Sequence, residues 1–489
     1  MWKFVKKWMP WLLLLTGGAY LFYSLGAGVL VYFKFNWAAL TFPYPLDYGE
    51  GQILDKTMLL AKFQSIYTSL PGVNQPPYSI TNYPPVYPLV QVPFAWIFGP
   101  ALWYGRLVNL ISIVGAAVFC GLTIHTLTGS RLGGLTSAAI LLCFPYTTQW
   151  TAMVRVDSLA LGLECAALYV IVRNPQHRKG WILTAVLLAA AVYTRQSNIS
   201  ASFAAFIWLL HEKPRRRAFQ LAAYVAVPGI VLFILINLLT HGSFFFNLVT
   251  ATVNRFSWDT VRYYFEDMKR HYTLLLILGS GYLLLGYWGR VQSRAWWLVA
   301  PFLAASAAVA VTIGKSGSNI NYLLEFSAAL ALVCGAVIAY PGKRRWITAV
   351  LAVLLALQVQ NLTVWTQADY TQWALAKIDR RAEIARLAGY VHSAQGYVLA
   401  DEYSGLIPLD RRVLYMMPFE FKQAVEAKTW DQAPMLDAMA AHTFGVILVF
   451  APPNWDSFGE RWTPAEQAAI HTFYKPIETL ADTIVYVPK

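Results

Sequence analysis

Long apolar runs separated by short charged segments dominate the hydrophobic pattern of this chain. The first run, residues 10–33, is longer than the roughly 7–15 residues of a signal-peptide core and is predicted to remain as a membrane span. The later runs lie at 103–127, 132–149, 156–173, 181–196, 198–211, 218–240, 273–289, 295–313, 320–340 and 346–364. The pattern predicts an α-helical polytopic membrane protein with about eleven transmembrane helices.

One long segment, residues 34–101, interrupts this alternation directly after the first span. It contains an amphipathic stretch at 52–66 and a Pro-rich motif, Asn82-Tyr83-Pro84-Pro85. The apolar run at 86–99 is shorter than the about 20 residues that a crossing needs. It is therefore interpreted as an interfacial or re-entrant helix.

The distribution of Lys and Arg predicts the orientation. The net charge is +13, and the basic clusters fall in loops on one side of the predicted topology, Arg215–Arg217 and Lys343–Arg345 among them. By the positive-inside rule these loops and the N-terminus are cytoplasmic, whereas the 34–101 loop and the C-terminus lie outside. The charge is thus an orientation signal rather than a nucleic-acid surface. We expect a multi-pass protein of the plasma (inner) membrane.

The composition changes at residue 366, where charges become frequent and long apolar runs stop. Domains are predicted at 1–365, which spans the membrane, and at 366–489, a small extracytoplasmic α/β domain. The cysteines lie inside apolar runs, so no disulfide framework is implied. The predicted elements of the second domain are helices at 367–394, 431–442 and 464–473, and strands at Tyr397–Ala400, Val413–Tyr415, Val446–Phe450 and Ile484–Val487.

Candidate chemistry concentrates at the outer ends of the spans. Asp47 and Glu50 open the outer loop; a carboxylate there can act as a general base, although Asp and Gly also favour an interfacial turn. Asp157 leads into an apolar run, where an ionised group is costly and is usually functional or paired. Its structural alternative is an ion pair with Arg155 or Arg195.

These motifs resemble those of the GT-C superfamily of membrane glycosyltransferases, which includes the dolichyl-phosphate-mannose protein mannosyltransferases and the aminoarabinose transferase of lipid A. The resemblance covers roughly residues 1–240. Many members have an adjacent Asp-Glu pair, whereas Tyr48-Gly49 separates the two acids here. The matching segments are Asp47-Tyr48-Gly49-Glu50-Gly51, Asn82-Tyr83-Pro84-Pro85-Val86-Tyr87-Pro88, Gly105-Arg106-Leu107, Asp157 and Arg195-Gln196.

The resemblance implies an inverting transfer of a sugar from a polyprenyl-phosphate-linked donor to a glycan, lipid or protein acceptor. Asp47 is then the expected base, with Glu50 as the alternative, and Asp157 is expected to orient one of the phosphate-binding cations or to assist the base. Arg155, Arg195 and Lys315 are expected to bind the donor phosphate. No cofactor is clearly implied, although some members use a divalent cation, and the metal remains unknown. The residues expected to position the acceptor are Asn82, Tyr83, Gln196, Asn319 and Tyr322.

Other functions remain open from the residues alone. A secondary transporter would use Asp157, Glu164 and Glu325 as coupling carboxylates, although the chain lacks the internal repeat that many transporters have. A non-enzymatic scaffold would tolerate neutralisation of Asp47 and Glu50. Another polyprenyl-phosphate-dependent transferase or ligase would use the same cations with a different acceptor.

Overall fold

The computed structural model describes residues 2–67, 75–252, 254–290, 292–342 and 344–489. Lys343, one of the predicted inner basic residues, lies outside them. The α-helices up to residue 365 are Trp2–Thr41, Tyr48–Ala61, Val86–Phe98, Trp103–Thr128, Arg131–Leu142, Pro145–Thr151, Asp157–Arg173, Arg178–Val192, Ser200–Glu212, Arg216–Leu239, Ser243–Phe245, Trp258–His271, Thr273–Tyr287, Trp296–Ala310, Leu324–Ala339 and Arg345–Trp365. Short 3₁₀ and π turns lie at Phe246–Thr250, Val311–Gly314, Ile320–Leu323 and Thr366–Tyr370.

Within these described ranges, six helices are long and apolar enough to cross a membrane. The helical, membrane-integral class is therefore confirmed, while the total of about eleven spans stays a prediction. The six segments are Trp8–Thr41, Trp103–Thr128, Arg216–Leu239, Trp296–Gly314, Ile320–Ala339 and Arg345–Tyr370.

Two predicted helices are broken. The predicted span 132–149 is two helices, because Phe144 is extended and Pro145 begins the second helix at its first position. Proline lacks the N–H that an interior helical residue donates, so it starts a helix more readily than it continues one. The predicted helix 367–394 is likewise divided, into Gln372–Asp379 and Arg381–Ser393.

Residues 372–489, here called the C-terminal module, contain a four-stranded sheet in the order β1-β2-β4-β3. Strands β1 (Tyr397–Ala400) and β2 (Phe444–Phe450) are parallel, and β4 (Thr483–Pro488) pairs antiparallel with β2 and with β3 (Tyr474–Leu480). The remaining helices of the module are Leu406–Leu409, Pro418–Glu426, Ala433–Ala440, Ser457–Arg461 and Pro464–Phe473.

One predicted strand is wrong and one strand is additional. Val413–Tyr415 joins no sheet; instead the Tyr415 carbonyl accepts a hydrogen bond from the Tyr78 amide at 2.7 Å, so this segment binds the 34–101 loop. Strand β3 contains Lys475, Pro476 and Glu478, as edge strands often do. Because β3 is polar, the positions of apolar runs do not predict it.

The C-terminal module packs directly against the helix Tyr48–Ala61. The Ser404 hydroxyl donates to the Tyr48 carbonyl at 2.8 Å, and a single buried core extends from Leu21 in the first membrane helix to Val446 in β2. Gly51 permits this approach, because a Cβ there would lie 2.5 Å from the backbone nitrogen of Gly405. The helix Tyr48–Ala61 is therefore enclosed between membrane helices and the module.

Candidate active site

Asp47 lies where the 34–101 loop turns into its first helix. Its extended backbone makes it the N-cap of Tyr48–Ala61, and its Oδ1 accepts a hydrogen bond from the Gly49 amide at 2.9 Å. The same oxygen forms an ion pair with Arg155. Because Gly49 has no side chain, the guanidinium fits against the helix start; a Cβ would lie 2.1 Å from Arg155 Nη1.

The Asp47 carboxylate remains accessible and is electrostatically perturbed. Its side chain is 19% exposed. Burial raises the pKa of Asp47 above the ordinary range of an aspartate, while the Arg155 guanidinium acts in the opposite direction. A carboxylate with a raised pKa is a better proton acceptor than an ordinary aspartate once it is ionised.

Glu50 occupies the opposite situation. Its side chain is 0% exposed, and both oxygens are saturated. Oε1 accepts from Arg106 Nε at 2.9 Å and from the Val154 amide at 2.8 Å. Oε2 accepts from Arg106 Nη2 at 2.8 Å and from the Leu46 amide at 2.6 Å. Glu50 therefore joins three chain segments and has no oxygen free for a substrate.

Arg106 completes this buried connection. Its Nη1 donates to the carbonyls of Ala39 and Phe42 at 2.7 and 2.6 Å, and its Nη2 donates to the Tyr44 carbonyl at 2.8 Å. These carbonyls lie at the end of the first helix, where backbone acceptors lack helical partners. The Glu50–Arg106 pair thus fixes the path of the chain that leads into Asp47.

Asp157 begins the helix Asp157–Arg173 and orients its neighbours. Its Oδ2 accepts from Trp150 Nε1 at 2.6 Å, and its Oδ1 accepts from Asn321 Nδ2 at 3.0 Å and pairs with Arg195 Nε at 2.9 Å. The Arg195 guanidinium lies 4.4 Å from the Tyr322 ring centroid. Asp157 is therefore positioned behind Arg195 rather than open to a substrate.

Arg195 retains an unused donor. Nη1 donates to the Asn321 carbonyl at 3.2 Å, whereas the buried Nη2 has no hydrogen-bond partner among the described residues. Arg195 lines a cavity of about 270 Å³, here called the cationic cavity, together with Asn82, Tyr83, Lys315 and Tyr322. No acidic side chain lines it in the described part of the chain. An anion would therefore be favoured there.

Neighbouring cavities extend from the cationic cavity in two directions. An apolar groove of about 360 Å³ begins beside Gln196 and is lined by Val192, Val225, Ile230 and Phe233. In the other direction, a cavity of about 90 Å³ contains Tyr83, Arg155 and Asn319 and reaches Asp47; it is here called the linking cavity. The Gln196 amide donates to the Asn82 carbonyl at 2.9 Å, which joins the two loops at the groove entrance.

Beyond Asp47 the linking cavity opens into a larger cavity of about 440 Å³, here called the vestibule. Its walls include Asp47 and Trp150 from the membrane part and Phe419, Trp455 and Arg461 from the C-terminal module. The structure therefore gathers Asn82, Tyr83, Arg155, Arg195, Gln196, Lys315, Asn319 and Tyr322 along one path with Asp47. Glu50 and Asp157 lie behind that path.

None of the site residues predicted from the sequence belongs to the C-terminal module, although residues of this module line the vestibule and the linking cavity. Burial opposes ionisation of Glu402, but Lys377 and Arg461 outweigh it and lower the pKa of that carboxyl to about 2. Burial raises the pKa of Glu420, which lines the linking cavity, to about 7. One feature of the sequence could have indicated this contribution. Asp401 and Glu402 directly follow β1, and ligands of α/β sheets often bind beyond the carboxyl ends of the strands.

The buried acids Glu164 and Glu325 hold neighbouring helices together. Glu164 accepts hydrogen bonds from Asn198 at 2.9 Å and from the Ala201 amide at 3.3 Å. Glu325 accepts from the Ser200 hydroxyl at 2.6 Å. Neither lines the cationic cavity, the linking cavity or the vestibule.

The fit of a divalent cation can be tested from the donor set. Across the described residues, no group of three or more His, Cys, Asp or Glu side chains is arranged to hold a metal ion. Asp47, the accessible carboxylate of the pair Asp47 and Glu50, already faces the Arg155 guanidinium, which repels a cation. These residues do not fit a metal ion.

Comparison with known proteins agrees with this architecture. The sequence model of the dolichyl-phosphate-mannose–protein mannosyltransferase family matches residues 82–241. No curated protein matches the sequence.

Solved structures match nearly the whole chain. ArnT from Cupriavidus metallidurans in the apo state has a TM-score of 0.61 at 14% identity, covering 94% of this chain and 96% of that one. The same protein bound to undecaprenyl phosphate gives 0.58 at 14% identity, covering 94% and 97%. The oligosaccharyltransferase AglB from Archaeoglobus fulgidus, with an inhibitory peptide and a dolichol-phosphate, gives 0.56 at 11% identity, covering 99% and 75%. The predicted resemblance to GT-C membrane glycosyltransferases is confirmed in the fold.

Proposed function

We propose that this protein is a glycosyltransferase that moves a sugar from a polyprenyl-phosphate-linked donor to an acceptor hydroxyl at the outer face of the plasma membrane. One observation carries the proposal. A cavity with two cations and no acid among its described lining residues lies between an apolar groove and the accessible Asp47 carboxylate. A lipid-linked anionic donor needs these features in this order.

The apolar tail and the anionic phosphate of such a donor each match the polarity of one cavity along the path. The polyprenyl tail lies in the apolar groove, and the phosphate accepts hydrogen bonds from the unpartnered Arg195 Nη2 and from Lys315. Charge-assisted hydrogen bonds of this kind are roughly twice as strong as neutral ones. The undecaprenyl phosphate of the ArnT complex and the dolichol-phosphate of the AglB complex support this donor class.

The transfer needs one base and one anion site. Asp47 accepts the proton of the acceptor hydroxyl as its oxygen attacks the anomeric carbon. The bond between that carbon and the phosphate oxygen breaks, and its electron pair leaves on the phosphate held by Arg195 and Lys315. Attack from the Asp47 side, opposite to the cationic cavity, inverts the anomeric configuration. Asp157 holds Arg195 in place.

The test is release of polyprenyl phosphate from a panel of polyprenyl-phosphate sugars by the full-length protein in lipid nanodiscs. Asp47→Asn is expected to lower the rate about 10²–10⁴-fold, the usual contribution of a general base, and Arg195→Gln about 10²-fold. Trp346→Ala, which alters an exposed indole on the last membrane helix, is the control. Absence of release from every donor, or release that survives both site variants, would refute the proposal.

A further inference from the structure

The vestibule differs in charge from the cationic cavity. Its lining acids are Asp47, Glu402, Glu426 and Glu460, and its lining cations are Lys422 and Arg461. Both cations have a carboxylate partner: Arg461 Nη2 lies 2.5 Å from Glu402 Oε2, and Lys422 Nζ lies 3.6 Å from Glu426 Oε1. The vestibule therefore offers no surplus positive charge to a phosphate or other anion.

Its walls are rich in aromatic rings. The membrane part contributes Tyr48 and Trp150, and the C-terminal module contributes Trp373, Phe419 and Trp455. The Trp455 side chain is 42% exposed, and its indole N–H donates to Glu460, which fixes the orientation of the ring. Rings of this kind offer large, rigid apolar faces with few polar atoms, as do the C–H faces of pyranose sugars.

Unused polar atoms accompany these rings. Arg461 is 5% exposed, yet its Nη1 has no hydrogen-bond partner among the described residues. Glu420 Oε2, in the linking cavity beside Asp47, likewise lacks one. Buried polar groups are normally satisfied, so an unpaired donor and an unpaired acceptor in adjoining cavities indicate a polar ligand. A polyhydroxyl compound supplies both hydrogen-bond acceptors and donors without net charge, and its C–H faces match the aromatic rings.

We propose that the vestibule binds an uncharged carbohydrate, which supplies the acceptor hydroxyl to Asp47. The proposal rests on the proposed glycosyltransferase function and assigns the class of its acceptor. In this arrangement a sugar ring stacks on Trp455, a hydroxyl accepts from Arg461 Nη1, and the reacting hydroxyl enters the linking cavity between Asp47 and Glu420. The opposite charge of the two cavities separates anionic donor from neutral acceptor.

The experiment offers the full-length protein in nanodiscs a donor that it cleaves, together with three acceptor sets. These are maltotriose, cellotriose and chitotriose as uncharged saccharides, a phosphorylated glycolipid, and a Ser/Thr-containing peptide. Labelled-sugar transfer is expected to the saccharides alone. Trp455→Ala is expected to raise the acceptor KM about tenfold, equivalent to about 1.4 kcal/mol, with the increase falling on acceptor rather than donor KM. Trp455→Phe, which keeps a ring, should recover most of the loss, and Trp346→Ala is the matched control.

The outcomes separate this inference from the one on which it rests. Transfer to the phosphorylated glycolipid or the peptide in preference to the saccharides would overturn the acceptor class. Donor cleavage without transfer to any saccharide, or saccharide transfer unaffected by Trp455→Ala, would also overturn it, while leaving the glycosyltransferase proposal intact. Failure of donor cleavage itself would refute the glycosyltransferase proposal.

Discussion

The distinction between Asp47 and Glu50 can be tested through protein stability. Glu50→Gln removes the charge of a carboxylate that is 0% exposed and accepts four hydrogen bonds. The glutamine oxygen can retain two of these hydrogen bonds. Its NH₂ group, which cannot accept, then faces the Arg106 donor and the backbone amide that bound the other carboxylate oxygen. Arg106 is left buried without a counter-ion. Asp47→Asn, by contrast, keeps a capping oxygen on a partly exposed side chain.

Removing one partner of a buried ion pair costs about 3–5 kcal/mol, so Glu50→Gln should lose that much unfolding free energy. Asp47→Asn should lose about 1 kcal/mol, because asparagine is also a favoured N-cap. The double variant Glu50→Gln/Arg106→Gln removes both charges together. Its cost should fall below the sum of the single costs by roughly 2 kcal/mol, within the range measured for residues in contact.

The assay measures unfolding free energy in mixed micelles and donor release per folded molecule for each variant. Glu50→Gln should be unstable, with the residual folded protein retaining donor release, whereas Asp47→Asn should be stable and inactive. The reasoning is refuted if Glu50→Gln unfolds with the free energy of the unmodified protein while donor release is abolished. Glu50 would then be the group that accepts the proton.

Three further predictions follow from the site. The acid limb of the pH profile of kcat should lie above the ordinary aspartate pKa of about 3.9, because the raised pKa of Asp47 keeps the base protonated at a higher pH. Arg155→Gln removes the cation that opposes this increase, so it should move the acid limb to a still higher pH. An acid limb that does not move in Arg155→Gln would contradict the assignment of Asp47 as the base. Lys315→Ala should weaken donor binding, raising donor KM about tenfold by loss of one charge-assisted contact, and an unchanged KM in a steady-state titration would exclude phosphate contact. Gly51→Ala should loosen the contact of the C-terminal module with the helix Tyr48–Ala61, because the new Cβ would lie 2.5 Å from the backbone nitrogen of Gly405. Limited proteolysis should then cut residues 397–489 faster than in the unmodified protein. Equal cleavage rates in the two proteins would contradict the close approach at Gly51.

Six of the predicted spans are long apolar helices in the described residues, because each apolar run leaves a strong local signal. The short helix Val86–Phe98 was also expected, since its 13 residues are too few for a crossing. Errors arose where local signals conflict with pairing. Val413–Tyr415 has an apolar strand pattern but binds Tyr78 instead of a sheet, and β3 is a strand despite Pro476 and Glu478.

The candidate site was only partly predictable for a related reason. Asp47 and Glu50 look equivalent in sequence, and only the contacts of Arg106 and Arg155 separate them. Glu402 and Arg461 come from the distant C-terminal module, and no local pattern connects them with the 34–101 loop. Non-local burial and charge pairing decide these roles, and neither is visible in the spacing of residues.

The enclosure of the helix Tyr48–Ala61 by the C-terminal module also sets the timing of assembly. Asp47 and Arg461 line the same vestibule but are separated by about 400 residues of chain. At a synthesis rate of 5–20 residues per second, roughly 20–80 s pass between their appearance at the ribosome. Asp47 is therefore present in the nascent chain, without the part of the vestibule wall that the C-terminal module supplies, while most of the helices enter the bilayer. The vestibule is therefore incomplete until the C-terminal module has been synthesised and has folded.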